Sequence, residues 1–116
     1  MIISLVVDAS FAVKLILPNP EQTRCRELMT EWEQNGVNIY APTLWLYEIT
    51  SAFSKAVHFE LLSETEGRQA LQQAQALNFQ LIHPDNNQVG LAFDRTRRLN
   101  RAAAYDSFYL ALAKSS

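Results

Sequence analysis

Cysteine is nearly absent from the chain. Cys25 is the only one in 116 residues, so no disulfide can close within the sequence and no metal site can be built on cysteine. Arg24 and Arg26 flank it and would favour a thiolate, but the simpler expectation is a small residue on a helix. Glycine and proline are scarce, at 3 and 4 residues, and no repeat, low-complexity tract or linker is visible. Net charge is small as well. The formal value of −2 leaves no global basic field to advertise nucleic acid, which disfavours tight non-specific DNA binding. It does not disfavour an enzyme that holds a nucleic acid briefly. No apolar run reaches the ~18 residues of a membrane-spanning helix. The first residues lack the basic, apolar and cleavage regions of a secretory leader. The expectation is a cytoplasmic protein with no membrane partner. The 48% apolar and 19% charged residues suit a single folded domain over 1–116 with its own core.

Strand and helix patterns alternate along the chain. The run "IISLVV" predicts a strand over 2–7 that is covered on both faces. A short helix is expected over 10–17, ended by Pro18 and Pro20. A second is expected over 21–34, with Leu28 and Trp32 at a helical interval and Asn35-Gly36 as its terminator. "VNIYAP" reads as a second strand, followed by a helix over about 43–59. Ser63 and Glu66 form a capping-box pattern that opens a helix to about 77. "FQLIHP" reads as a third strand, and helices follow over about 87–99 and 104–114. The fold class is therefore α/β, a parallel sheet with about six helices on its faces. Ligands of such sheets bind beyond the carboxyl ends of the strands.

Three acids stand in apolar surroundings. Asp8 follows "IISLVV", Glu48 lies within "TLWLYEITSAF", and Asp106 lies within "AAAYDSFYLALA". On a helix, Glu48 shares a face with Leu44, Trp45, Ser51 and Ala52, and Asp106 with Ala102, Tyr109 and Leu110. An acid pushed toward a core must neutralise or find a partner. Acids converging on a divalent cation meet that need together, and oxygen-only ligands favour Mg²⁺ or Mn²⁺. Each acid also has a plainer reading. Asp8 can cap the first helix, although Ser10 can do so instead; Asp106 suits a helix's first turn; Glu48 suits an edge-exposed helix.

The segments "LVVDAS", "APTLWLYEITSAF" and "YDSFYLALAK" resemble the three signature segments of PIN-domain ribonucleases, most closely the short VapC-type toxins of toxin–antitoxin pairs. The resemblance runs from about Leu5 to the end of the chain. It implies a metal-dependent endoribonuclease that leaves a 5′-phosphate on the downstream product, with an antitoxin protein as partner. It implies catalytic and metal-site roles for Asp8, Glu48 and Asp106, with Mg²⁺ or Mn²⁺, and an active-site role for the Ser10 hydroxyl. It also implies a sheet of order 3-2-1-4-5. Family members usually continue into a strand ending in Thr-x-Asp and then one more strand, whereas this sequence stops at Ser116. The three visible strands would make strand one an edge. An apolar edge invites pairing with a second copy, so a homo-oligomer is expected, and without the fourth acid that the family carries the resemblance implies weak or absent ribonuclease activity.

For RNA contact, "DRTRRLNR" holds Arg95, Arg97, Arg98 and Arg101, four of the ten basic residues. Arg95, Arg98 and Arg101 are candidates for phosphates near the acids, with Lys14 a weaker one. The plainer reading is a solvated face on which Asp94 pairs with Arg98. His58 and His83 have no ligand spacing and read as structural. Trp45, Tyr47, Phe53 and Phe108 read as core rather than as base-stacking platforms. Two phosphate-chemistry folds are set aside: a haloacid-dehalogenase fold needs an acid at position 10, which is Ser, and a response-regulator receiver needs an acidic pair at strand one. The alternative function is a catalytically inactive PIN-like module acting in protein–protein interaction.

Overall fold

The computed structural model describes residues 4–101 and 103–115. The elements follow the order β1 (Ser4–Val6), α1 (Ala9–Ile16), α2 (Gln22–Gln34), β2 (Asn38–Pro42), α3 (Leu44–His58), α4 (Glu64–Gln75), β3 (Gln80–Ile82), α5 (Asn86–Arg98) and α6 (Tyr105–Ser115). Ile2 and Ile3, expected in the first strand, lie outside the described residues. The strands form one parallel sheet in the order β1-β2-β3, with Leu5 opposite Ile39 and Ala41 opposite Leu81. β1 is an edge among the described residues, as the sequence reading expects.

The pleat puts Leu5, Val7, Ile39, Ala41 and Leu81 on one face of the sheet. Helices α1 to α4 pack there. Ala9, Ala12 and Ala41 meet Trp45, Ile49 and Phe53, and Ala70 and Ala74 close the cluster from α4. Alanine in α1 and α4 lets the helices approach closely around the large side chains of α3. A second cluster, of Val7, Leu15, Cys25, Met29 and Ile39, joins α2 to the same face. The thiol of Cys25 is buried there, as the plainer reading has it. Helix α6 packs on β1 and β2, and α5 packs on α6. No α5 or α6 side chain belongs to either cluster, so this pair forms a layer on the opposite face. The Thr96 hydroxyl, buried, lies 2.9 Å from the Ser107 hydroxyl and joins the pair. No helix among the described residues is long and apolar enough to cross a membrane.

Helix ends explain the boundaries. Asp85 caps α5 through the Gln88 N–H, and Ser63 with Glu66 forms the full capping box of α4. Helix α2 ends in a Schellman turn: Val37 N–H reaches Trp32 C=O at 3.0 Å, and Gly36 takes the left-handed φ of 64°. Helices α3 and α5 end in the same bonding pattern, but with Glu60 (φ 60°) and Asn100 (φ 53°) at the left-handed position. Asn tolerates that conformation better than Glu does.

At Gly67 helix α4 approaches α3 closely. A β-carbon there would stand 2.4 Å from Val57 Cγ2. Valine is stiff about its first torsion and cannot swing away freely. Gly67→Ala is therefore expected to lower stability by about 1 kcal/mol despite alanine's better helix propensity. In a Val57→Ala background the clash is gone, and the same substitution becomes stabilising. Urea-denaturation midpoints of the four proteins measure both signs.

Candidate functional site

Asp8 leaves the carboxyl end of β1 with extended backbone and caps α1. Its Oδ1 accepts the Phe11 N–H at 3.1 Å and the Ser10 hydroxyl at 2.7 Å. The alternative in which Ser10 caps the helix and leaves Asp8 free is not adopted. Ser10 instead fixes the rotamer of Asp8, and the second carboxylate oxygen accepts no hydrogen bond from the described residues.

Glu48 sits one turn into α3. Trp45 on the same helix is buried at 2% exposure, which sets the inward face, and Glu48 lies half-buried at its border. Asp106 occupies the first turn of α6 and is exposed. The expectation that all three acids are pushed toward the core is thus corrected. Each has apolar neighbours in sequence, but Trp45 and Ile49 turn inward while Asp8 and Asp106 face solvent, as do Tyr47, Tyr105 and Leu110. Ala102, expected beside Asp106, lies outside the described residues.

Glu48 and Asp106 come together. With Arg101, Ala103 and Tyr105 they line an open recess of about 440 Å³. Asp8 does not line it; its link to Glu48 is Tyr109, which shares a helix face with Asp106. The Tyr109 hydroxyl donates to Glu48 Oε1, and the Ala9 backbone N–H faces the same phenol. Burial, then the bond to Glu48, then the charges of Glu48 and Asp8 push the Tyr109 phenol well above its ordinary pKa; the Ala9 N–H acts the other way. Tyr109 therefore stays neutral and remains a donor. The available signal was its place three residues after Asp106, on one helix face.

The basic candidates divide. Asn100 breaks the line of α5, and Arg101 N–H bonds to Thr96 C=O at 3.1 Å, which brings Arg101 to the acidic recess. Arg95 and Arg98 remain on α5 and line a groove with Leu110 and Lys114, farther along α6. Among the described residues Asp94 and Arg98 form no ion pair, and Lys14 is committed to Glu21 at 3.0 Å. Among the aromatic residues, Trp45 and Phe53 are core as expected, each 2% exposed. Tyr47 is not: it is 72% exposed, because it lies on the face of α3 opposite the core. Phe108 is half-buried.

The donors suit a hard divalent cation in kind, being carboxylate oxygens with a free edge on Asp8. Among the described residues no three His, Cys, Asp or Glu side chains converge closely enough to hold one ion. Glu48 and Asp106 supply a pair, and Asp8 stands beyond the Tyr109 bridge. No protein-family model matches the chain, and no curated protein matches it.

The phenol sets a pH dependence. A tyrosine in the unfolded chain ionises near pH 10, and Tyr109 in the folded chain ionises higher. Above about pH 10 the unfolded state binds fewer protons than the native one, so this contribution to stability falls as pH rises. It is fully present below that pH. Tyr109→Phe should cost roughly 1 kcal/mol at neutral pH through the lost bond to Glu48. It should also flatten the decline above about pH 10 relative to the wild type. Urea unfolding of both proteins across that range is the measurement.

Proposed function

We propose that the chain is a metal-dependent endoribonuclease of the PIN-domain type, the toxin of a toxin–antitoxin pair. The observation that supports this most is the recess where Glu48, Asp106 and Arg101 meet beyond the carboxyl end of the sheet, linked to Asp8 through Tyr109. Parallel α/β sheets bind their ligands at such ends. Glu48 and Asp106 would hold Mg²⁺ or Mn²⁺, with Asp8 as the third acid. An ion held there would supply an activated water and neutralise charge on the phosphoryl oxygens. Arg101 would pair with the phosphate that enters the recess. Tyr109 holds Glu48 in place and keeps its own proton. Water adds to phosphorus and the P–O3′ bond breaks, which leaves a 5′-phosphate downstream and a 3′-hydroxyl upstream. An antitoxin protein, and a second copy paired along the open edge of β1, belong to the same proposal.

A second reading has its own support. The three acids do not converge among the described residues, and Phe59, Leu61 and Phe93 are exposed at 69%, 78% and 63%. That combination suits an inactive PIN-like module that binds other proteins.

Cleavage of an unstructured RNA with Mg²⁺ or Mn²⁺, and its loss in chelator, separates the two. Glu48→Gln and Asp106→Asn should each lower cleavage by about 100-fold or more. Asp106→Asn should also raise the melting temperature in chelator, since it relieves repulsion between acids, and shrink the shift produced by Mn²⁺. A chelated Asp106→Asn protein that melts lower would assign Asp106 to the helix dipole alone. A wild type that neither cuts nor gains stability from Mn²⁺ would leave the interaction module.

A further inference from the structure

Two exposed tyrosines adjoin the acids in sequence: Tyr47 precedes Glu48, and Tyr105 precedes Asp106. They come from different helices, yet both line one recess of about 190 Å³ beyond the carboxyl ends of β2 and β3, with His83, Pro84 and Phe108 on its walls. The recess is almost wholly aromatic and apolar. A polar pair stands among its lining residues, the Thr43 hydroxyl 3.4 Å from His83 Nδ1. Tyr105 lines this recess, the acidic one, and a third that connects Tyr47 with Glu48. The surface therefore runs without a break from aromatic slot to carboxylates.

Leaving two tyrosines 72% and 64% exposed side by side serves no packing purpose in the described fold. Phenol rings offer flat π faces, and an unpaired nucleobase stacks on such faces with little regard to its identity. A base in a duplex has both faces covered and cannot enter. Arg101, at the far side of Tyr105, supplies the positive charge that the attached phosphate needs.

We propose that Tyr47 and Tyr105 form a stacking slot for one unpaired base of single-stranded RNA, which sets the adjoining phosphate at the Glu48–Asp106 recess. This deepens the ribonuclease reading and rests on it for the reaction, but not for the binding. Thr43 and His83 face the edge of the base and would tune preference among bases. Each tyrosine acts through its ring and not its hydroxyl, since stacking needs only the π face.

The test is fluorescence anisotropy of a short labelled single-stranded RNA with the full chain in chelator, so that no cutting occurs. Tyr47→Ala and Tyr105→Ala should each weaken binding by about 10-fold, while Tyr47→Phe and Tyr105→Phe bind as the wild type does. A set of RNAs with one abasic position each should include one that binds the wild type about 10-fold more weakly, with no further loss in the double alanine variant. Circular dichroism confirms that the variants are folded. Alanine variants that bind as the wild type does would overturn the slot, even if the protein cuts RNA. So would wild-type affinity for every abasic RNA, or no RNA binding at all. A protein that fails to cut yet loses binding on either alanine substitution would uphold the slot and remove the ribonuclease reading.

Discussion

The carboxyl end of the sheet depends on the hydrogen bond from Tyr109 to Glu48. It spans two layers. Glu48 belongs to a helix whose buried residues, Trp45, Ile49 and Phe53, anchor the larger core, while Tyr109 belongs to the helix that covers the other face. A half-buried carboxylate gains most from a neutral donor that cannot surrender its proton, and the surroundings of Tyr109 ensure that it does not. The same phenol faces the first N–H of α1, directly after Asp8. One side chain thus ties α3 to α6. Helix α5 follows through Thr96 and Ser107, since its buried surface is largely against α6.

The second constraint is the way helices stop. Three of them close with a left-handed residue and a six-to-one hydrogen bond, at Gly36, Glu60 and Asn100. Each turn throws the chain sharply off the helix axis. After Gly36 it enters β2 in register with β1, and after Asn100 it carries Arg101 away from Arg95 and Arg98 to the acids. Charge placement at the recess is a product of backbone geometry as much as of residue type.

Much of the fold was legible because its signals are local. Capping oxygens at Asp8 and Ser63, the proline after α1, the one that ends β2, and Asn35-Gly36 all act within a few residues of themselves. The close of α3 was legible in place, at about Phe59, although Glu60 lacks the side-chain signature of its left-handed conformation. Burial was the weakest inference. Apolar neighbours in sequence suggested buried acids and a buried Tyr47, but a helix sorts neighbours onto opposite faces, and which face turns inward is settled by contacts distant in the chain. Tyr109 escaped notice as a site residue for the same reason: its partner is Glu48, 61 residues away. The split of the arginines likewise turned on Asn100, not on their spacing.

Both tryptophans lie in one layer. Trp32 meets Phe11 at a tilt with ring centroids 5.2 Å apart, and Trp45 meets Phe79 edge-on at 5.4 Å, all within the α1–α4 side of the sheet. Helices α5 and α6 carry none. Intrinsic tryptophan emission therefore reports on one half of the molecule. A partial opening in which α5 and α6 lift from the sheet would leave that emission nearly unchanged while helical circular dichroism fell. The two spectroscopies, read together on the same sample, distinguish release of one layer from cooperative unfolding of both.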